Sequence, residues 1–126
     1  MKDIVLENIC WSFIGATYTN SDEFRVALLK YQLEGFEENL LDEICILERM
    51  IEIEYWTYEN DNQVDRKIII EADNGISLSV VELLYKLHNL VVEDMEEIDH
   101  HFFQGLIPLK SSRKSGVRGY EIWQGS

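Results

Sequence analysis

From Met50 the chain alternates in character at every residue. Ile51, Ile53, Tyr55 and Thr57 fall on one side, and Glu52, Glu54, Trp56 and Tyr58 on the other. A period of two sustained over this length is the pattern of a strand buried on one face. A second β-branched run, Lys67 to Glu71, contains three consecutive isoleucines and is expected to pair with the first as a hairpin. The polar stretch from Glu59 to Asp65 reads as the loop between them, and Asp73-Asn74-Gly75 supplies turn chemistry after the second strand.

The next segment carries the fullest set of helix signals. Ser79 is placed to cap, Glu82 stands at the third helical position to close a capping box, and Leu78 and Leu83 occupy the staple positions. Leu83, Leu84, Leu87, Leu90 and Val91 then form a stripe at helical spacing, followed by the acidic run Glu93, Asp94, Glu96, Glu97 and Asp99. An earlier helix is expected from Glu23 to Leu33. Asn20 or Ser21 would cap it, Asp22 and Glu23 suit its first turn, and Gly35 lies just beyond its end.

The aromatic and β-branched stretch from Ile9 to Tyr18 reads as a strand, whereas residues 36–48 fit a helical face yet run straight into a strand pattern. Two more strands are expected at Phe102 to Leu109 and Tyr120 to Gln124, joined by a basic, glycine-containing loop from Ser111 to Gly119. The order is β-α-β-β-α-β-β. It predicts an α+β fold, a mostly antiparallel sheet of about five strands with two main helices packed on one face. The short links favour antiparallel neighbours.

At 126 residues the chain fits one domain, and the lone proline, Pro108, and the lack of a Gly/Ser-rich linker agree with that. No secretory signal stands at the start, and no run approaches the ~20 apolar residues that span a bilayer, so a cytoplasmic location is expected. Cys10 and Cys45 sit far apart in apolar surroundings and are expected to be buried free thiols.

Charge separates the function classes further. The chain carries 24 acids and 11 bases, a net of −13. Residues 1–109 hold a net of −16, while Lys110, Arg113, Lys114 and Arg118 against Glu121 leave residues 110–126 at +3. A body this acidic repels phosphate backbones and anionic membranes and attracts basic proteins.

Asp99-His100-His101, with His88 upstream, is the cluster most like a metal site. Adjacent residues on a strand point to opposite faces, which opposes a shared ion, so no cofactor is expected. The serines fit no nucleophile elbow, the glycines fit no phosphate-binding loop, and no catalytic constellation is expected. Trp56 and Tyr58, on one strand face with Glu52 and Glu54, suit a hot spot for a basic partner if the face is open, and a core if a helix covers it.

The run Glu82-Leu83-Leu84-Tyr85-Lys86-Leu87-His88-Asn89, then Asp99-His100-His101-Phe102-Phe103-Gln104-Gly105-Leu106, and the ending Tyr120-Glu121-Ile122 and Gly125-Ser126, resemble small bacterial immunity proteins. These are encoded beside polymorphic or contact-dependent growth-inhibition toxins. The resemblance covers roughly the last 50 residues. It implies a protein that binds a cognate toxin domain, often a nuclease, and blocks its active site. Glu52, Glu54, Trp56, Tyr58, Glu59, Asp61 and Asp65 are the candidate partner-binding residues. The alternative is a small-molecule- or metal-binding domain centred on His88, Asp99, His100 and His101.

Overall fold

The computed structural model describes residues 4–109 and 117–126. Its elements are β1 (Trp11–Ser12), α1 (Ser21–Tyr31), β2 (Ile44–Ile46), β3 (Met50–Glu59), β4 (Asn62–Glu71), β5 (Leu78–Ser79), α2 (Val80–Met95), β6 (Phe102–Pro108) and β7 (Arg118–Gly125), with a 3-10 turn at Glu38–Asp42. Five strands form one sheet in the order β1-β6-β7-β3-β4, and β2 and β5 form a separate small pair. The fold is α+β with a mostly antiparallel sheet, as the patterning predicts.

The β3 alternation resolves as read. Ile51, Ile53, Tyr55 and Thr57 are buried and face α2, while Glu52, Glu54 and Trp56 are half-buried and Tyr58 is exposed on the opposite side. α2 lays Leu83, Leu84, Leu87, Val91 and Met95 into the core, and α1 adds Phe24 and Leu28. Leu90, expected in the stripe, is exposed, and His88 takes a place on the buried face. Ser79 accepts from the Glu82 N–H at 3.3 Å, but the Glu82 carboxylate takes the Asp73 N–H at 2.8 Å, so the capping box is closed on one side only.

Several expectations are corrected. The loop expected from Glu59 to Asp65 shrinks to Asn60 and Asp61. Both have positive φ, 52° and 65°, and turn the chain in two residues, so β4 starts at Asn62. Asn and Asp tolerate this conformation, and it matches the twist of the flanking strands. The short-link rule holds for β3–β4 and β6–β7, but β7 joins β3 in parallel. The two hairpins are connected through α2, and a connection of that length permits parallel pairing.

The strand expected from Ile9 to Tyr18 survives only as Trp11–Ser12, paired with Phe102 and Phe103. Side-chain amides take over its flanks. Gln32 accepts from the Cys10 N–H at 2.9 Å and donates to the Cys10 carbonyl at 2.6 Å, and Asn89 makes the same pair of bonds with Tyr18 at 2.9 Å each. A carboxamide carries one acceptor and two donors, so it can satisfy a main-chain peptide much as a neighbouring strand does. Gly15, at φ 86°, breaks the extended path between the two clamps.

The cysteines are free, but Cys10 is exposed and only Cys45 is largely enclosed. Burial pushes the Cys45 thiol up to about 12. The expected basic loop falls mostly on residues 110–116, outside the described residues; Arg118 lies in β7, 3.7 Å from Glu48.

Candidate partner-binding face

The seven candidate residues divide between the outer face of the sheet and the tip of the β3–β4 hairpin. On the outer face, Trp56 meets Tyr58 edge-to-face at 5.7 Å and His100 at 5.0 Å. Gln124 fixes this strand locally: it accepts from the Trp56 N–H at 2.9 Å and donates to the Trp56 and His100 carbonyls at 3.1 Å each. Glu54 lies 3.5 Å from Lys67 and beside Glu121 of β7. Alternation along β7 puts Trp123, 43% exposed, on the same side as Glu121. The helices lie on the other face. The aromatic pair is therefore a half-open surface feature, and Glu52 and Glu54 are partly enclosed rather than freely solvated.

Four members of the set are exposed: Asp65, opposite Trp56 on β4, and Tyr58, Glu59 and Asp61 at the hairpin end. There the sheet meets the end of α2 and encloses a cleft of about 440 Å³ lined by Thr57, Tyr58, Asp61, Glu93, Asp94, Glu97 and Ile98. One carboxylate is fixed in place. Asp94 accepts from the Tyr55 hydroxyl at 2.5 Å, its carbonyl accepts from Thr57 Oγ1 at 2.6 Å, and Arg66 Nε stands 3.5 Å away. Burial, and then the Asp94 carboxylate, hold the Tyr55 hydroxyl well above its ordinary range, so it stays a donor. Glu93, Glu97 and Asp61 remain exposed.

These acids stand at the wrong end of α2 for the helix. The C-terminus carries a partial negative charge that favours cations, yet the last turn holds no basic residue. The arrangement costs folding energy and concentrates negative potential at one mouth, where a cationic group from another molecule would relieve it.

The histidines do not converge. His88 is fully buried, where Trp11 Nε1–H donates to its Nδ1 at 3.1 Å. That leaves Nε2–H to donate to the Ala16 carbonyl at 3.0 Å. Burial lowers the His88 pKa, and the neutral ring fits both bonds. His101 Nδ1 lies 2.7 Å from Ser12 Oγ, while His100 rests on Trp56. Asp99 is exposed. Among the described residues, no group of three or more His, Cys, Asp or Glu is placed to hold a metal ion. The Ser12–His101 contact resembles a catalytic pair in composition. However, Ser12 is buried within β1, and the contact ties β1 to the start of β6 alongside the Phe13 N–H to His101 carbonyl bond of 2.8 Å.

Pattern reading from the sequence misses Glu93, Asp94 and Glu97 as site residues, although their run is visible. The available signal was an acidic helix end with no compensating base. No helix of the described residues is long and apolar enough to cross a membrane. Compared with protein-family models, curated proteins and solved structures, the chain matches none of them.

Proposed function

We propose that this chain is an immunity protein that binds a cognate basic toxin domain, a nuclease, and neutralises it through its acidic hairpin end. The observation that carries the reading is the cleft where Tyr58 and Asp61 face Glu93 and Glu97 at a helix end whose last turn holds no basic residue. A nuclease presents a basic cleft to its phosphate substrate, and exposed carboxylates clustered around an aromatic can occupy such a cleft in place of nucleic acid. Trp56 and Glu59 extend the contact along the hairpin. Charge of this density steers encounter, so association should be fast and should slow steeply with salt.

The test is co-purification with the product of the adjacent gene, followed by stopped-flow association across a salt series. Tight binding that slows with salt and weakens in Asp61→Asn/Glu93→Gln/Glu97→Gln supports the reading. Failure of the pair to bind at low salt, or absence of a toxin gene beside this one, removes it.

A further inference from the structure

We propose that the outer edge of β4 is the pairing edge of a two-fold dimer of this chain. The inference is independent of the toxin reading and rests on main-chain direction and charge order. Among the described residues, β4 pairs only with β3, so one side of a ten-residue strand has no ladder. An open edge of this length is a template for another strand.

The direction of each main-chain group follows from one bond. Ala72 N–H donates to the Arg49 carbonyl at 2.8 Å, so that cross-strand pair is hydrogen-bonded. The ladder between β3 and β4 has no register shift. Hydrogen-bonded pairs alternate along an antiparallel ladder, so Ile70, Ile68, Arg66 and Val64 bond to β3. Gln63, Asp65, Lys67, Ile69 and Glu71 accordingly turn their N–H and C=O groups outward. The last carbonyl is already occupied, since Lys86 Nζ donates to Glu71 O at 2.6 Å. The unpaired run is thus Gln63 to Ile69, and its centre is Arg66.

A second copy pairing antiparallel about that centre uses every outward group of the run. It sets Asp65 opposite Lys67 of the second copy, and Lys67 opposite its Asp65. The same register sets Val64 opposite Ile68 twice on the inner face. Opposite charges and β-branched pairs are the favourable cross-strand combinations. Arg66 meets its own copy at the centre. Each is neutralised at home by Glu59 at 2.7 Å and Asp94 at 3.5 Å. The net charge of −13 on each copy opposes association at long range. Near-physiological salt, with a Debye length of about 8 Å, screens that repulsion more than it screens the contacting pairs. Asp65 then serves this edge, and the toxin-facing carboxylates are those of the cleft.

Sedimentation equilibrium at near-physiological salt, from micromolar to millimolar protein, is the direct test. The native chain should show a concentration-dependent monomer–dimer equilibrium. Asp65→Lys or Lys67→Asp alone creates two like-charge contacts by symmetry and should weaken the dimer about tenfold. The double swap Asp65→Lys/Lys67→Asp restores opposite charges and should restore the dimer. Amide exchange on the native chain gives a readout that needs no variant. The outward amides of Gln63, Asp65, Lys67 and Ile69 should gain protection as concentration rises. A native chain that stays monomeric at millimolar concentration overturns the proposal. So does a dimer indifferent to either single swap, or equal exchange of those amides at both ends of the concentration range.

Discussion

Replacing His88 with leucine separates the two things this ring does, filling space and holding a proton inventory. The ring is fully buried, 5.5 Å from the Trp11 ring, 5.1 Å from Tyr18 and 5.8 Å from Phe24. Leucine fills most of the volume but accepts nothing, so the Trp11 indole N–H, on a side chain 5% exposed, is left without its acceptor. An orphaned buried donor costs about 1–3 kcal/mol. The Ala16 carbonyl lies on an exposed residue and can turn to water, so it adds little. We expect His88→Leu to lose about 2 kcal/mol at pH 7.5. His88→Ala, which also opens a cavity, should lose about 4.

The pH dependence carries an independent sign. Burial lowers the folded pKa of His88 below its ordinary value of 6.5, so the unfolded chain binds the proton first as pH falls. The stability contributed by keeping the ring neutral is fully present above about 6.5 and is lost as pH drops toward the folded pKa. The slope from one proton is at most about 1.4 kcal/mol per pH unit. Urea unfolding of native protein and His88→Leu from pH 5 to 8, compared at each pH, isolates this component because His100 and His101 are common to both. The gap between the two should narrow as pH falls. A constant gap, or a leucine variant as stable as native protein at pH 7.5, would refute the buried neutral histidine.

Three further outcomes follow from the same contacts. Glu93→Gln/Glu97→Gln removes negative charge around the α2 C-terminus and should raise the unfolding free energy measured in urea by about 0.5 kcal/mol per charge within the last turn, while slowing association with the proposed toxin partner. Gln124→Ala strands the Trp56 N–H and carbonyl on a half-buried strand and should cost about 2 kcal/mol; a loss under half of that would mean water replaces the amide. Cys10 should react with a thiol reagent at pH 8 in the folded protein, whereas Cys45, its thiol pushed up to about 12 by burial, should react only on unfolding. Two equally fast thiols in the native protein would contradict that placement.

What could be read from the sequence, and what could not, divides by range of interaction. The β3 alternation, the Ser79 cap and the Asn20 cap each involve neighbours within a few residues, and each stands where local pattern puts it. The Asn60–Asp61 turn was also local, but its polar surroundings extend to Asp65 and hide how short it is. The segment from Ile9 to Tyr18 failed for a different reason. Its composition suits a strand, but its partners are single carboxamides 22 and 71 residues away, Gln32 and Asn89. Gln124 does the same for Trp56 from 68 residues away. No periodicity announces such a clamp, because one side chain substitutes for a whole strand.

The acidic cleft has the same origin. Tyr58 and Asp61 belong to a hairpin and Glu93 and Glu97 to a helix end, and the bonds of Tyr55 and Thr57 to Asp94, with Arg66 beside it, bring the two together. The carboxylates around that anchor are exposed and unfavourably placed for the helix. Arg66 answers Asp94 at 3.5 Å, but the last turn of α2 supplies no base for the exposed carboxylates, and local rules of this kind are broken at functional or strained sites. That mismatch, rather than the overall acidity that first suggested a basic partner, is the stronger physical reason to look for the partner at this end of the sheet.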